Sequence, residues 1–331
     1  MDYNCITNAI RGGGISAYRL KQVKKAVFVA LVSEWREVLV LPASLRESLN
    51  SNCPLSVAGK IRASKETASV KAIIELGDGL EIESVLMRHN NNRNTVCVSS
   101  QVGCPLGCLF CATGKMGFKR NLTSSEIIEQ VIFFARLLKE EQVKVTNIVF
   151  MGMGEPFLNY QEVITAIDVL NDKDGFNLGI RHFSISTAGI IEGINKLKEE
   201  GRSINLAISL HNADDKLRQK MMPVAVRYPL NELLKSIDEY IKHTGRKVMF
   251  EYLMIKGVND SLQDADKLAS IMKKPLYMVN LIRYNPTGDF EPSKPEVITA
   301  FRQRLIDKGI SVTQRYHFGG DINAACGQLI I

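Results

Sequence analysis

The stretch Gly103-Cys104-Pro105-Leu106-Gly107-Cys108-Leu109-Phe110-Cys111-Ala112 decides how this chain is read. Three residues separate the first two cysteines and two separate the second pair, so three thiolates fall within eight residues. A structural zinc site or a cubane iron–sulfur cluster normally takes four protein ligands. Three ligands leave one iron of a cluster open to another molecule. A zinc site would need a fourth ligand, for which His211 is the candidate near a strand end. The triplet favours iron–sulfur over zinc.

Working outward, residues 95–100 read as a strand leading into the cysteine loop, and beyond it strand and helix patterns alternate. Strands are expected at 146–152, 182–187, 204–210, 247–255 and 276–283, with a last one near 310–317. Helices are expected at 123–140, 159–171, 190–200, 229–243, 262–273 and 294–308. Repeated βα units predict an α/β fold with a parallel sheet, a partial (β/α)6 barrel. Such folds place chemistry at the carboxyl ends of their strands. The cysteine loop follows the first strand, Gly152-Met153-Gly154-Glu155-Pro156 follows the second, and Ser209-Leu210-His211 ends the fourth.

Upstream the pattern differs. Leu20, Val23, Val27, Ala30 and Leu31 fall at helical spacing, and a second helical stretch, 43–49, follows Pro42. Residues 69–76 and 80–87 flank Gly77-Asp78-Gly79 and predict a β-hairpin, after which Asn90, Asn91 and Asn92 mark a loop. The domain reading is a small basic helical accessory domain at 1–60, a hairpin extension and linker at 61–92, and the partial barrel with a C-terminal tail at 93–331.

Apolar content of 45% and charged content of 23% are ordinary for a soluble globular protein. No stretch approaches the ~18 apolar residues of a membrane span. Met1-Asp2-Tyr3-Asn4 lacks a basic start followed by an apolar run, so a cytoplasmic location without a secretory signal is expected. The formal charge is +7, and residues 1–71 carry 11 Lys/Arg against 5 Asp/Glu. A basic start on a nearly neutral body suggests a nucleic-acid partner, or else a solvated surface that binds nothing in particular. Seven cysteines, three of them clustered, read as metal or redox chemistry in a reducing compartment. Cys5 and Cys53, with no motif around them, read as bystanders.

The three-cysteine motif resembles that of the radical S-adenosylmethionine (SAM) superfamily, in which the open iron chelates SAM and an electron from the cluster yields a 5′-deoxyadenosyl radical. Gly152-Met-Gly-Glu-Pro156 is similar to the motif that holds the SAM amino group, where a carboxylate can accept from an ammonium. More narrowly, six segments resemble the RlmN/Cfr family of radical SAM RNA methyltransferases. They are Cys97-Val-Ser-Ser-Gln-Val-Gly-Cys104, Phe110-Cys-Ala-Thr-Gly114, Phe118-Lys-Arg-Asn-Leu-Thr123, Ser209-Leu-His211, Asn280-Leu-Ile-Arg-Tyr-Asn285 and Ala324-Ala-Cys-Gly-Gln328. The resemblance runs from about residue 18 to the end and is closest to the dual-specificity RlmN branch.

That resemblance implies one [4Fe-4S] cluster on Cys104, Cys108 and Cys111. It implies SAM contacts from Gly154, Glu155, Ser186, Ser209, Leu210, His211 and Asn285, with two SAM molecules used per turnover. Cys326 would take a methyl group from the first as a thiolate. Hydrogen abstraction would turn the S-methyl into a methylene radical that adds to an adenine carbon, giving a protein–RNA adduct. Cys97 would then attack the Cys326 sulfur, forming a disulfide and releasing the base. Glu83 would accept the proton. Read alone, Cys326 is a lone thiol, Cys97 a core residue of a strand, and Glu83 an outward charge sharing a face with Glu81.

The implied activity is methylation of carbon 2 of an adenosine in 23S rRNA and of the adenosine next to the anticodon in tRNA. The implied partners are those RNAs and an external electron donor, with no membrane and a monomeric chain. Gly154-Glu-Pro-Phe-Leu-Asn159 and Gly117-Phe-Lys-Arg120 are similar to the carbon-2 branch. Arg283 stands where that branch commonly has proline, and Phe318 before Gly319-Gly320-Asp321 is similar to the carbon-8 enzymes that confer antibiotic resistance. Carbon-8 methylation is one alternative, and a non-catalytic RNA-binding protein with a structural metal site is another. Lys115, Lys119, Arg120, Arg181, Arg283 and Arg315 are expected near strand ends as a funnel for RNA phosphates. His89, His182, His243 and His317 have no partners at ligand spacing.

Overall fold

Four strands precede the cysteine loop: β1 Gly59–Ala63, β2 Ser69–Glu75, β3 Glu81–Arg88 and β4 Asn94–Val98. A short ribbon, β5 Gln101–Gly103 with β6 Phe118–Asn121, frames that loop. Then come β7 Asn147–Phe150, β8 Phe183–Thr187, β9 Asn205–Ser209, β10 Val248–Met254, β11 Tyr277–Arg283 and β12 Val312–Gln314. This computed structural model describes residues 1–12, 17–65, 68–288, 290–315 and 319–330. All strands except the ribbon join one sheet in the order β1-β2-β3-β4-β7-β8-β9-β10-β11-β12. From β4 to β12 every neighbour is parallel, and from β1 to β4 every neighbour is antiparallel.

The helices are α1 Tyr3–Gly12, α2 Ala17–Lys24, α3 Ala43–Asn52, α4 Ala112–Lys115, α5 Ser124–Glu140 and α6 Tyr160–Asn171. They continue with α7 Ile191–Glu200, α8 Asp215–Met221, α9 Leu230–Thr244, α10 Leu262–Met272 and α11 Pro295–Asp307. Crossovers through α5, α6, α7, α9, α10 and α11 make six βα units, the expected partial barrel, which β12 completes. Each helix lies on the sheet by an apolar stripe, as α5 does with Ile127, Ile128, Val131, Phe134 and Leu138. Its start is fixed by a capping box: the Thr123 hydroxyl accepts from Glu126 N at 3.2 Å, and the Glu126 carboxylate accepts from Thr123 N at 2.8 Å.

The amino-terminal part departs from the sequence reading in three ways. The hairpin is not a separate extension, because β3 pairs with β4 (Val85 opposite Cys97) and carries the barrel sheet onward. A third strand, β1, lies on the hairpin's far edge; all five of its residues are exposed, so no hydrophobic alternation announced it. Helix α1 was also unforeseen, and it docks on the barrel through Tyr3 N and Ser125 Oγ at 3.0 Å.

Cys5 and Cys53, read as bystanders, form a disulfide that ties α1 to the end of α3. Next to it Trp35, wholly buried, donates its indole N–H to Cys53 O at 2.7 Å. Arg136 of α5 donates to Leu55 O and Val32 O, at 2.9 and 2.6 Å. The helical segment thus shares one continuous core with the barrel. Burying an aromatic side chain of this size contributes on the order of 3 kcal/mol at ~25 cal/mol per Å².

Candidate active site

The cysteine loop is held open by backbone geometry. Gly103 has φ +74°, and a Cβ there would lie 1.9 Å from Gly117 O, so the β5–β6 ribbon closes only on glycine. Cys104 N donates to Gly117 O at 2.9 Å, and Cys111 N to Cys108 O at 3.1 Å. Burial pushes the Cys104 thiol up to about 12 and the Cys108 thiol well above its ordinary value. Metal binding displaces such protons. Among the described residues no three His, Cys, Asp or Glu side chains converge as they would around a single ion. Thiolates bound to separate irons of a cluster do not need that convergence.

The C-terminal tail is laced onto this loop. Ala112 N donates to Gly327 O at 2.8 Å, and Thr113 Oγ1 to Leu329 O at 2.7 Å. Asn285, just past β11, donates from Nδ2 to Cys326 O at 3.1 Å. These bonds bring Cys326 beside Cys97 of β4, although 229 positions separate their numbers. Both thiols are free. Burial pushes Cys97 up to about 12 and the surrounding protein pushes Cys326 up to about 11, while Arg315 opposes both shifts. Cys326 is nevertheless open to solvent. Arg315 is held in turn by an ion pair with Glu251 and by Met151 Sδ at 3.4 Å.

The Gly152–Pro156 turn fits against the end of β4. Gly154 has φ +99°, and a Cβ there would lie 2.5 Å from the Gln101 side chain. Glu155 is buried; its Oε1 accepts from Phe157 N at 3.0 Å and its Oε2 from Ala188 N at 2.8 Å. Burial raises its carboxyl to about 7, and these N–H groups resist the rise. With these two N–H groups and the Thr187 side chain on it, the carboxylate keeps one lone-pair site for an ammonium. Ser186, on β8, donates to Glu251 Oε2 at 2.9 Å. Leu210 N and His211 N both donate to Glu251 O, at 3.0 and 3.1 Å, directly after Ser209 closes β9. His211 Nδ1 accepts from Leu253 N at 3.1 Å, which puts its ring proton on Nε2; burial lowers its pKa to about 3. Asn285 Oδ1 is buried without a protein donor, a ready acceptor among these residues.

Glu83 is not the outward charge that an alternating strand suggests. It is buried on β3 and ion-paired to Lys71 of β2 at 2.7 Å, and Lys71 also donates to Asn323 O at 3.3 Å. Burial pushes its carboxyl up and Lys71 pulls it back.

The basic funnel needs correcting. Arg120 is engaged by Asp78 and Glu126, and Arg315 belongs to the thiol pocket. Arg181 precedes β8 and so lies at the amino ends of the strands. Lys115, Lys119 and Arg283 remain on the expected side. Lys71, Glu251, Arg218 and Arg315 complete the site. No spacing marked them, because each partner lies on a different element. His317 and Phe318 fall outside the described residues.

A three-cysteine loop after the first strand of a partial barrel, facing a Gly-Glu-Pro turn, defines a radical SAM protein, and the Radical SAM superfamily pattern matches residues 98–269. That superfamily implies a [4Fe-4S] cluster and SAM. The chain is similar to the "Probable dual-specificity RNA methyltransferase RlmN" of Dictyoglomus turgidum, 42% identical over 99% of this chain and 94% of that one. It is also similar to the "Ribosomal RNA large subunit methyltransferase N" of Nitrosopumilus maritimus, 42% identical over 96% and 93%. The crystal structure of a radical SAM methyltransferase from Sphaerobacter thermophilus matches with a TM-score of 0.94 and 40% identity, covering 98% of this chain and 96% of that one. The chain belongs to the RlmN family of radical SAM RNA methyltransferases.

Proposed function

We propose that this enzyme methylates carbon 2 of an adenosine in 23S rRNA and of the adenosine beside the anticodon in tRNA, with Cys326 as covalent methyl carrier. The meeting of Cys97 and Cys326 around Arg315, beside the cluster loop, carries this reading. Cys104, Cys108 and Cys111 would hold the [4Fe-4S] cluster, with Gly154, Glu155, Ser186, Ser209, Leu210, His211 and Asn285 around SAM. Cluster and SAM together supply, when bound, a hydrogen-abstracting radical.

Adenine carbon 2 is too poor a nucleophile to take a methyl cation directly, so the protein provides a better one. The Cys326 thiolate, favoured by the Arg315 guanidinium, would attack the methyl group of a SAM sulfonium with its lone pair and become a thioether, the sulfonium–methyl bond breaking and the rest of SAM leaving as a neutral thioether. After loss of one hydrogen atom, its methylene radical adds to the adenine carbon; the adduct must then give up one electron, for which the cluster held by Cys104, Cys108 and Cys111 would be the acceptor. Glu83, ion-paired to Lys71, takes the proton of that carbon. The Cys97 thiolate attacks the Cys326 sulfur, the sulfur–methylene bond breaks with its electron pair going to the departing carbon, which takes up a proton to become the methyl group, and the two sulfurs are left as a disulfide. An external reductant restores them. Two SAM molecules are used per turnover, one for the methyl group and one for the radical.

The test is incubation of the reconstituted enzyme with unmodified 23S rRNA fragments, tRNA and methyl-labelled SAM, followed by mass analysis of nucleosides. 2-Methyladenosine from both RNAs is expected. 8-Methyladenosine, or no labelled nucleoside, would overturn the proposal. Label in rRNA alone would remove tRNA from it.

A further inference from the structure

Arg218 of α8 is completely buried. Its guanidinium donates to Ala188 O at 2.8 Å and Tyr228 O at 3.3 Å, and its Nε has no partner. Asp215, the acidic group that acts on it, is already spent on Leu230 N and Gln219 Nε2, both at 3.0 Å. A guanidinium stays charged in protein interiors; Asp215 offsets that charge only from a distance, with no ion pair between them, and taking the charge out of water is costly. The structure also shows what lies beside it. Met221, three residues on, accepts from Leu109 N at 3.0 Å within the cysteine loop, and Cys108 packs against the apolar cluster that contains Met221, Met222 and Ala188 and lies within electrostatic reach of Arg218. Ala188, whose carbonyl takes the Arg218 Nη2, gives its own N–H to Glu155 Oε2. Arg218 thus holds the residue that orients Glu155, while its own helix end holds the loop that carries Cys108.

We propose that Arg218 is a positioning residue of the cluster site, its fixed positive charge balancing an anionic cluster at Cys108 and drawing that cluster's reduction potential upward. The inference rests on the radical SAM reading above. Three thiolates leave a [4Fe-4S]²⁺ core with a net negative charge, and the electron accepted from the external donor adds another. A nearby positive charge in a low-dielectric interior favours the reduced form. The same guanidinium fixes the Ala188 carbonyl and hence the N–H that orients Glu155.

The test is a redox titration of the reconstituted full-length chain, followed by electron paramagnetic resonance without SAM. At the potential where the wild-type cluster is half reduced, Arg218→Met should lower the ratio of reduced to oxidised cluster about tenfold, equivalent to 59 mV for a one-electron couple. Asp215→Asn, which removes the opposing charge and keeps an acceptor for Leu230 N, should raise that ratio. Arg218→Lys should stay near wild type. Shifts of opposite sign cannot come from a loosened loop. Unmoved potentials in loaded Arg218→Met and Asp215→Asn overturn the assignment while leaving the proposed function standing. Should Arg218→Met take up no cluster, Asp215→Asn decides, and an unmoved or lowered ratio overturns the assignment. A wild-type chain that binds no cluster overturns the proposed function together with it.

Discussion

Cys97 and Cys326 are ordinary thiols until the tail is folded back onto the cluster loop. In the proposed chemistry their division of labour is separable by mutation. Cys97→Ala should methylate Cys326 and couple to RNA but fail to let go, so denaturing electrophoresis should show a protein–RNA adduct. Full activity with no adduct would remove Cys97 from the scheme. Arg315→Met should slow S-methylation of Cys326 about tenfold at neutral pH, since one pKa unit in the thiol changes its thiolate fraction by that factor. Peptide mass spectrometry of the protein after one turnover measures this. Neither Arg315 nor Glu251 was legible as part of a thiol pocket, because their roles arise only when β10, β12 and the tail meet. The cysteines were legible only through family resemblance; by spacing alone Cys97 is a core residue and Cys326 an isolated thiol.

Periodicity located the βα units well, because six helices and seven parallel strands repeat one strong pattern. It failed where that pattern is absent. Strand β1 has every residue exposed and so escaped it, whereas β3 lies where the hairpin was expected but is buried along most of its length, so the outward face read for Glu83 is absent. The ribbon β5–β6 is short and shaped by glycine. Gly103→Ala must move Gly117 O, so iron and sulfide content after reconstitution should fall severalfold while the far-ultraviolet circular dichroism stays unchanged; full loading would show that the ribbon yields. The turn after β9 gives a pH dependence. His211 has a folded pKa of about 3 against 6.5 for its ordinary value. The unfolded chain therefore takes up a proton that the folded chain refuses, and this contribution to stability is complete above pH 6.5 and falls as the pH drops toward 3. Between pH 7 and pH 5 the loss is about 2 kcal/mol. Urea titrations of His211→Gln at the two pH values should show that difference removed.

Over the whole molecule, the helical start and the barrel form one packed body rather than two loosely linked ones. The charge reading singled out the first residues but could not show how they attach. Trp35, Arg136 and the Cys5–Cys53 disulfide supply the attachment. A double Cys5→Ser, Cys53→Ser variant should lose about 2–4 kcal/mol of unfolding free energy, the usual worth of a native disulfide. An unchanged urea midpoint would mean that the remaining contacts hold the helices alone. The proposed cycle makes and breaks a second disulfide, between Cys97 and Cys326, on every turnover. The two bonds meet the cell's thiols on unequal terms. Cys326 opens to solvent, where an attacking thiolate can reach its sulfur, whereas Cys53 is almost wholly enclosed and Cys5 partly covered. A reductant strong enough to reset the chemistry therefore need not unfasten the scaffold: accessibility lets one chain keep a consumable disulfide and a permanent one in the same bath.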